Sequence, residues 1–339
     1  MEYKEIQDKK IWEDFIEGSP YNTSFFQSWA WGEFEKTIGK EVTRLGFYVG
    51  NEIKAVAQIV QVNAKRGNFL HIRNGPVVDW NDKEIVKSLI NELKKIAKEK
   101  GVDFIRMSPQ MKKLEFDNLK PLNLGLVRNQ MHDVDAEITW VLDLTQDLDS
   151  ILMNMRKNTR YYIRRAEKEG VKIKKSRDIN DLEKFYSVYQ DTVKRQKWNA
   201  YNYEYLKNEF ETFSKEGDIV IYLAEYNGIV IAASLFIYYN GETFYHHSGS
   251  LSEYQKIPAS YLLQWESIKD SKEKGISKYN FFGIARDDDQ KHPWAGLTFF
   301  KKGFGGTEQR WVHAHDIPLK PKYWITYIYE YIERVKRGY

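Results

Sequence analysis

The chain of 339 residues contains no cysteine, which excludes disulfide bonds, a thiol nucleophile and a zinc site with cysteine ligands. No apolar run approaches the roughly 20 residues that a membrane-spanning helix needs. The N-terminus, MEYKEIQD, lacks the apolar segment of a signal peptide, so we expect a cytoplasmic protein. The formal net charge of +4 is lower than is usual for a globally basic nucleic-acid-binding protein. Any anion binding must therefore depend on local clusters of basic residues.

The abundant residues are those of a globular protein, with 42% hydrophobic and 29% charged residues. Aromatic residues reach 15% of the chain and include 23 Tyr and 10 Trp, which suit broad pockets with polar groups as well as cores. The chain is long for a single hydrophobic core. Length and composition together predict two globular domains.

One order of predicted elements occurs twice along the chain. Asn51 matches Asn227, and Gly101 matches Gly275 at nearly the same spacing, which indicates an internal duplication. We therefore predict an α/β fold with mixed sheets, a first domain over 1–144, a second over 145–317, and a C-terminal helix over 318–339 that packs back on the first domain. An N-terminal helix is predicted over 1–20. The first copy has strands over 43–49, 52–61 and 69–73, a helix over 83–100 and a strand over 103–107; the second has strands over 219–225, 229–239 and 243–249, a helix over 259–274 and a strand over 278–282. The apolar stripe of the C-terminal helix consists of Trp324, Ile325, Ile328, Ile332 and Val335.

A basic helix is predicted between the two copies, over 151–170. Arg156, Arg160, Arg164 and Lys168 are spaced four apart and form one stripe on it. Such a run is commonly a solvated charged face. However, few acidic residues compensate within the stripe, so a repulsion of a few tenths of a kcal/mol per pair is retained. A phosphate-bearing partner would explain why this uncompensated basic stripe is retained.

The stretch LTFFKKGFGG over 297–306 carries the candidate catalytic cation. We interpret it as a strand that ends in a glycine turn, with Lys301 and Lys302 beside aromatic rings. A partly desolvated ammonium stabilises a developing negative charge strongly. The glycines permit positive φ and close approach to a ligand. The alternative is an ordinary strand end with two solvated lysines.

The sequence predicts no metal site. His246 and His247 are adjacent on a predicted strand, so their side chains should point to opposite faces and could not share a metal. His313 and His315 would share a face, but two ligands are too few. The acidic run over 287–289 is more typical of a solvated loop than of a cation site.

The duplicated element order resembles the acyl-CoA N-acyltransferase (GNAT) fold. In that class a glycine-rich turn at a helix N-terminus holds the pyrophosphate of CoA. The corresponding turns here, EYQKIPAS over 253–260 and DWNDKE over 79–84, contain no glycine. CoA is therefore disfavoured as the donor.

Six motifs in order resemble the FemX/FemAB family of peptidoglycan-bridge aminoacyltransferases, in a compact form that lacks the helical hairpin of larger members. They are GPVVD over 75–79, VLDL over 141–144, RRAEKEGV over 164–171, HSGS over 247–250, PASYLLQW over 258–265 and FKKGFG over 300–305. Their order and spacing carry the resemblance, which spans nearly the whole chain. It implies transfer of an amino acid from aminoacyl-tRNA, as co-substrate and with no cofactor, to an amine of the stem peptide.

The resemblance also implies roles for particular residues. Lys301 matches the family lysine that stabilises the oxyanion, with Phe300 beside it. Apart from the resemblance, Lys302 is grouped with the basic stripe as a tRNA or anion contact. Lys36, Tyr205 and Trp31 are assigned to the precursor site. Tyr201 and His247 occupy positions where the family has an arginine and a tyrosine. These departures leave open whether the precursor is UDP-MurNAc-pentapeptide or a lipid-linked form.

The chain is expected to act as a monomer, with contact to the inner face of the membrane. Two alternatives to the tRNA-dependent transferase stay open. One is a transferase of the same fold that uses another donor, such as acetyl-CoA, or another acceptor, such as a protein N-terminus. The other is a non-enzymatic binding module. The missing glycine turn and the basic helix favour tRNA over CoA, and the Lys301 region favours an enzyme over a binding module.

Overall fold

The computed structural model describes residues 1–131, 135–197, 199–286 and 292–337, with the side chain of residue 337 left aside. The chain forms two compact units, Met1–Glu137 with Arg310–Tyr339, and Ile138–Gln309. Each contains one mixed sheet with helices, which confirms the predicted α/β class. The units change at 137/138 and 309/310, whereas the sequence placed the changes at 144/145 and 317/318. The reason is strand pairing, because the strand over 138–143 joins the second sheet and the strand over 315–318 joins the first.

The first unit is built on an eight-stranded sheet of order β1-β2-β3-β4-β6-β15-β7, with β5 paired to β3. Its strands are β1 (Glu2–Glu5), β2 (Glu41–Val49), β3 (Glu52–Val62), β4 (Phe69–Ile72), β5 (Val77–Val78), β6 (Phe104–Met107), β7 (Val127–Arg128) and β15 (His315–Pro318). Its helices are α1 (Lys9–Gly18), α2 (Trp29–Thr37), α3 (Lys83–Glu99), α4 (Lys113–Leu119) and α11 (Tyr323–Arg337). The predicted N-terminal helix over 1–20 therefore begins only after a short edge strand.

The second unit has a seven-stranded sheet of order β14-β8-β13-β12-β11-β10-β9. Its strands are β8 (Ile138–Asp143), β9 (Lys172–Ser176), β10 (Ile219–Tyr226), β11 (Ile229–Tyr239), β12 (Glu242–Ser250), β13 (Lys278–Gly283) and β14 (Thr307–Arg310). Its helices are α5 (Leu148–Asn154), α6 (Lys157–Lys168), α7 (Asp181–Gln196), α8 (Tyr203–Ser214), α9 (Ala259–Glu273) and α10 (Ala295–Lys302).

The same supersecondary unit occurs in both sheets. In the first, α3 connects the parallel strands β4 and β6; in the second, α9 connects the parallel strands β12 and β13. Asp82 caps α3 by accepting a hydrogen bond from the Ile85 backbone amide. The helix buries Leu89, Ile90 and Leu93 on the sheet, as its 3.6-residue pattern predicts.

Two further predicted elements differ from the structure. The basic helix over 151–170 is interrupted at Met155 and Arg156, giving α5 and α6. The stretch before the glycines is the helix α10 and not a strand, so Lys301 lies in its last turn. A short run of apolar residues does not distinguish a strand from a buried helix, because its periodicity fits both.

The helix α11 packs on the first unit, but with a face other than its apolar stripe. Tyr323 and Thr326 are buried, whereas Trp324, Ile325 and Ile328 are exposed. None of the helices in the described ranges is long and apolar enough to cross a membrane.

Candidate functional site

The site lies in the second unit, where the parallel strands β12 and β13 stop pairing. Their register runs from Glu242 opposite Lys278 to Phe244 opposite Asn280, although both strands continue further. Beyond that point the ends of the strands carry polar and aromatic groups on both faces of the sheet. Lys301 is associated with one face, and His246 and His247 with the other.

Lys301 is the most unusual charged residue of this site, because only 4% of it is exposed. Its Nζ donates a hydrogen bond of 2.6 Å to the Gly283 carbonyl oxygen at the end of β13. The same atom lies 5.9 Å from the centre of the Tyr245 ring. No carboxylate of the described residues pairs with it. Burial lowers the pKa of the Lys301 ammonium to about 7.

The rings around Lys301 differ from those that the sequence suggested. Phe299 is 61% exposed and does not cover the ammonium, because α10 turns it outward. Phe300 packs edge-on against Tyr261 and Phe304, with ring centres 4.8 and 5.2 Å apart. Instead, the Lys301 Nζ lies over the ring of Tyr245 on β12. Lys302 points elsewhere and lies 4.9 Å from the centre of the Trp140 ring.

The glycine turn after α10 is required for packing within the unit. Gly306 has φ of +98°, and a Cβ atom there would lie 2.5 Å from the Val141 carbonyl oxygen. The Gly303 carbonyl accepts a hydrogen bond of 2.9 Å from the Arg156 backbone amide at the start of α6. These glycines let the end of α10 pack closely against β8 and α6.

A β-bulge places both histidines on one face of the sheet. Leu235 pairs with His247 and Phe236 pairs with Tyr245, so His246 is left out of the ladder. The prediction that the two imidazoles point to opposite faces is therefore wrong, because the alternation of side chains fails at a bulge. Both rings point to Glu209 on α8.

Glu209 is completely buried and contacts both rings. Its Oε1 lies 2.7 Å from His246 Nε2, and its Oε2 lies 3.0 Å from His247 Nε2. Burial raises the pKa of the Glu209 carboxyl, but the two imidazoles outweigh this effect and hold the pKa well below its usual range. The three residues offer ligand atoms within 4.8 Å of one another and could hold a metal ion. Without a metal ion, the Nε2–H groups of His246 and His247 satisfy the Glu209 carboxylate equally well.

An aromatic pair lies beside this cluster. Tyr201 and Tyr205 stack with ring centres 4.2 Å apart, and the Tyr201 ring lies 5.5 Å from that of His247. Tyr201 is 43% exposed. The structure thus brings together three of the residues predicted for the precursor site: Tyr201, Tyr205 and His247.

Two predicted site residues lie in the first unit. Lys36 is exposed at the end of α2 and forms an ion pair of 2.9 Å with Glu33, which also contacts the buried Arg44. Trp31 is 1% exposed, and its ring packs edge-on against Phe26. Trp31 is therefore part of the core of this unit, not of its surface.

The break between α5 and α6 changes the basic stripe. Arg160 donates hydrogen bonds to the carbonyls of Met153 and Met155, at 2.8 and 2.5 Å, and so caps the end of α5. Arg156 donates to the Phe299 carbonyl at 3.0 Å. Arg164 and Lys168 are exposed, and neither forms an ion pair with the described residues.

Three residues that shape the site were not predicted from the sequence: Glu209, Tyr245 and Gly283. Glu209 had no local signal, because its partners are 37 and 38 residues away along the chain. The adjacent histidines were a signal, but without the bulge they were misinterpreted. The acidic run over 287–289 lies outside the described residues.

Two mixed sheets, each with a short parallel pair connected by a helix, define a tandem GNAT-like fold. A tandem GNAT protein from the clavulanic acid biosynthesis pathway superimposes with a TM-score of 0.58 at 10% identity, over 94% of this chain and 99% of its own. The crystal structure of FemX superimposes with a TM-score of 0.85 at 19% identity, over 96% of this chain and 99% of its own.

The profile of the FemAB family matches residues 8–120, 124–228 and 224–331, and the chain belongs to this family. Among its curated relatives is the lipid II:glycine glycyltransferase of Staphylococcus aureus (strain MRSA252). That protein is 21% identical, over 95% of this chain and 93% of its own length. The family membership confirms the resemblance found in the sequence.

Proposed function

We propose that this protein transfers an amino acid from aminoacyl-tRNA to an amine on the stem peptide of a peptidoglycan precursor. Membership of the FemAB family supports the proposal, as does the similarity to a glycyltransferase that is named for lipid II. The observation that carries it is Lys301, a buried ammonium that is bonded to a backbone carbonyl and has no carboxylate partner among the described residues.

The proposed reaction requires no covalent enzyme intermediate. The acceptor amine attacks the ester carbonyl carbon, and a tetrahedral oxyanion forms. The bond from that carbon to the ribose oxygen then breaks, the nitrogen loses a proton, and the ribose oxygen gains one. The ester is already activated, so the enzyme contributes positioning and stabilisation of charge.

Lys301 is proposed to stabilise the oxyanion. In its protonated form the Lys301 amine has three N–H donors, of which one is bonded to Gly283. Because the group is poorly hydrated, its interaction with a new negative charge is stronger than in water. Phe300 supports this position through its packing against Tyr261 and Phe304.

Binding of the two substrates is assigned to separate groups. Tyr201, Tyr205 and His247 form an aromatic surface for the precursor. Arg164 and Lys168, with Lys302, are assigned to phosphates of the tRNA. We place the reaction in the cytoplasm, at the inner membrane face if the acceptor is lipid-linked.

The test is a transfer assay with total tRNA charged with a mixture of amino acids. UDP-MurNAc-pentapeptide and a lipid-linked precursor are supplied in separate reactions, and the product is identified by mass. We expect one added amino acid, and no addition when the tRNA is digested with ribonuclease beforehand. Addition that survives the digestion would contradict the proposal.

An acyl-CoA-dependent transferase is the second candidate, favoured by the superposition with a tandem GNAT protein. No glycine occurs between β12 and α9, where the fold class holds the pyrophosphate. We therefore expect no saturable heat of binding when acetyl-CoA is titrated into the protein. Micromolar binding with acetylation of an amine would favour this candidate over the first.

A further inference from the structure

The outer face of α11 is apolar, which is the reverse of a usual surface helix. Large hydrophobic side chains that are between 43% and 61% exposed lie along one side of it: Trp324, Ile325, Ile328, Tyr331, Ile332 and Val335. We call these six residues the outer face. Monomeric proteins rarely leave so large a contiguous apolar patch in water without a function.

Polar contacts fix the helix in this orientation. Glu330 accepts hydrogen bonds of 2.9 and 2.8 Å from the Arg106 guanidinium, which is buried between β6 and the helix. Gln130 donates to the Tyr327 hydroxyl at 2.6 Å, and Thr326 donates to the Arg66 carbonyl at 2.8 Å. Rotating α11 to bury the outer face would leave Arg106 without this partner, at a large cost. The exposure of the outer face is therefore a stable property of the fold.

Basic side chains surround the outer face. Lys320 and Lys322 precede the helix, both within 4 Å of Asp103, and Lys336 lies in its last turn, 3.4 Å from Glu333. The exposed turn at Lys65 and Arg66 adjoins the helix, where the Arg66 guanidinium lies 3.5 Å from the centre of the Tyr329 ring. These five basic residues outnumber their two acidic partners, Asp103 and Glu333, so the charge offered to an approaching surface is positive.

We infer that α11 is an interfacial membrane helix, whose outer face inserts into the headgroup region of an anionic phospholipid surface. Apolar and aromatic side chains flanked by lysine and arginine are the pattern of helices that lie in the plane of a bilayer. Trp and Tyr are favoured at that depth because their rings are amphipathic. The inference is independent of the chemistry proposed above, since it concerns only the first unit.

The first test uses the absence of cysteine from the chain. Ile328→Cys is labelled with the environment-sensitive fluorophore NBD and mixed with vesicles of phosphatidylglycerol and phosphatidylcholine. We expect a blue shift and a rise in emission. The matched control is Leu114→Cys on α4, whose side chain is 73% exposed and should show neither change. Unchanged emission at position 328 would overturn the inference.

The second test measures flotation of the unlabelled protein with the same vesicles. Ile328→Asp and Ile332→Asp should each reduce partitioning by at least about tenfold, because each replaces an exposed isoleucine that the headgroup region would bury. Lys65→Glu should reduce it by about fivefold or more, and phosphatidylcholine alone should bind weakly. The thermal melting curve checks that each variant folds.

A second copy of the chain is the competing occupant of the outer face. Sedimentation velocity of the wild type without lipid distinguishes the two. A monomer that floats with anionic vesicles supports the inference. A dimer that Ile328→Asp dissociates, together with no flotation of the wild type, would overturn it.

Discussion

Replacement of Lys301 by methionine separates the catalytic and structural consequences of the buried ammonium. Methionine keeps an unbranched stem and removes the charge. Loss of one donor to an oxyanion typically lowers kcat by about 10²–10³, or about 3–4 kcal/mol of transition-state stabilisation. Because the negative charge is absent from the bound ground state, we expect KM for both substrates to change little. Steady-state kinetics with charged tRNA measures both constants.

The same substitution should stabilise the fold at neutral pH. Burial lowers the pKa of Lys301 from 10.5 to about 7. At about 1.36 kcal/mol for each pH unit, this disfavours the charged side chain by about 5 kcal/mol. The lost hydrogen bond to Gly283 offsets about 1–3 kcal/mol of the gain. We expect Lys301→Met to unfold at higher urea concentration than the wild type, by about 2–4 kcal/mol in the free energy of unfolding at pH 7.

The pH dependence gives the sign of this effect. Between pH 7 and 10.5 the unfolded wild type binds more protons at Lys301 than the folded form, so wild-type stability rises with pH over that range. The methionine variant lacks this titration. Its advantage should be nearly complete at pH 7 and much smaller at pH 9.5. Urea unfolding at pH 7 and at pH 9.5 measures the difference.

Lys302→Met is the matched control, because Lys302 is adjacent and lies against the Trp140 ring. It should retain kcat close to that of the wild type and raise only KM for charged tRNA, because Lys302 is assigned to the tRNA phosphates and not to the oxyanion. Full activity of Lys301→Met, or inactivity of Lys302→Met, would refute the assignment of Lys301 as the oxyanion-stabilising group. If Lys301→Met is less stable than the wild type at pH 7, then burial of the Lys301 ammonium does not destabilise the wild-type fold, contrary to the expectation.

Four further predictions concern charged groups elsewhere. Glu209→Gln should lower the free energy of unfolding by about 3 kcal/mol at pH 7. Because the pKa of Glu209 is depressed in the folded protein, this loss should shrink as the pH falls below about 4. Urea unfolding at pH 7 and below pH 4 measures the change. Arg164→Glu with Lys168→Glu should raise KM for charged tRNA with little change in stability, whereas Arg160→Ala should lower stability by about 1–2 kcal/mol because it uncaps α5. Glu330→Gln should increase amide hydrogen exchange in α11, because it weakens the pairing with Arg106.

Equal acid sensitivity of Glu209→Gln and the wild type would mean that the carboxylate does not hold the imidazoles. An unchanged KM in the double reversal would make Arg164 and Lys168 a solvated face only. Unaltered exchange in α11 would show that Glu330 does not anchor it.

Local pattern was sufficient for the repeated order of strands and helices and for the family. The apolar faces of α3 and of the strands follow from side-chain periodicity, and the six motifs keep their spacing along the chain. Lys301 could be singled out in the same way, because it lies in the motif FKKGFG over 300–305, which resembles the family's. These inferences needed no knowledge of which distant segments meet.

The tertiary structure decided the features that depend on long-range pairing. The bulge opposite Leu235 turned His246 and His247 to one face, and Glu209 reached them from a helix far away in sequence. The burial of Arg106 required Glu330 as a partner, which turned the apolar stripe of α11 outward. In each case one buried charge needs partners that periodicity does not encode, and the cost of leaving it unpaired exceeds the preference of a local pattern.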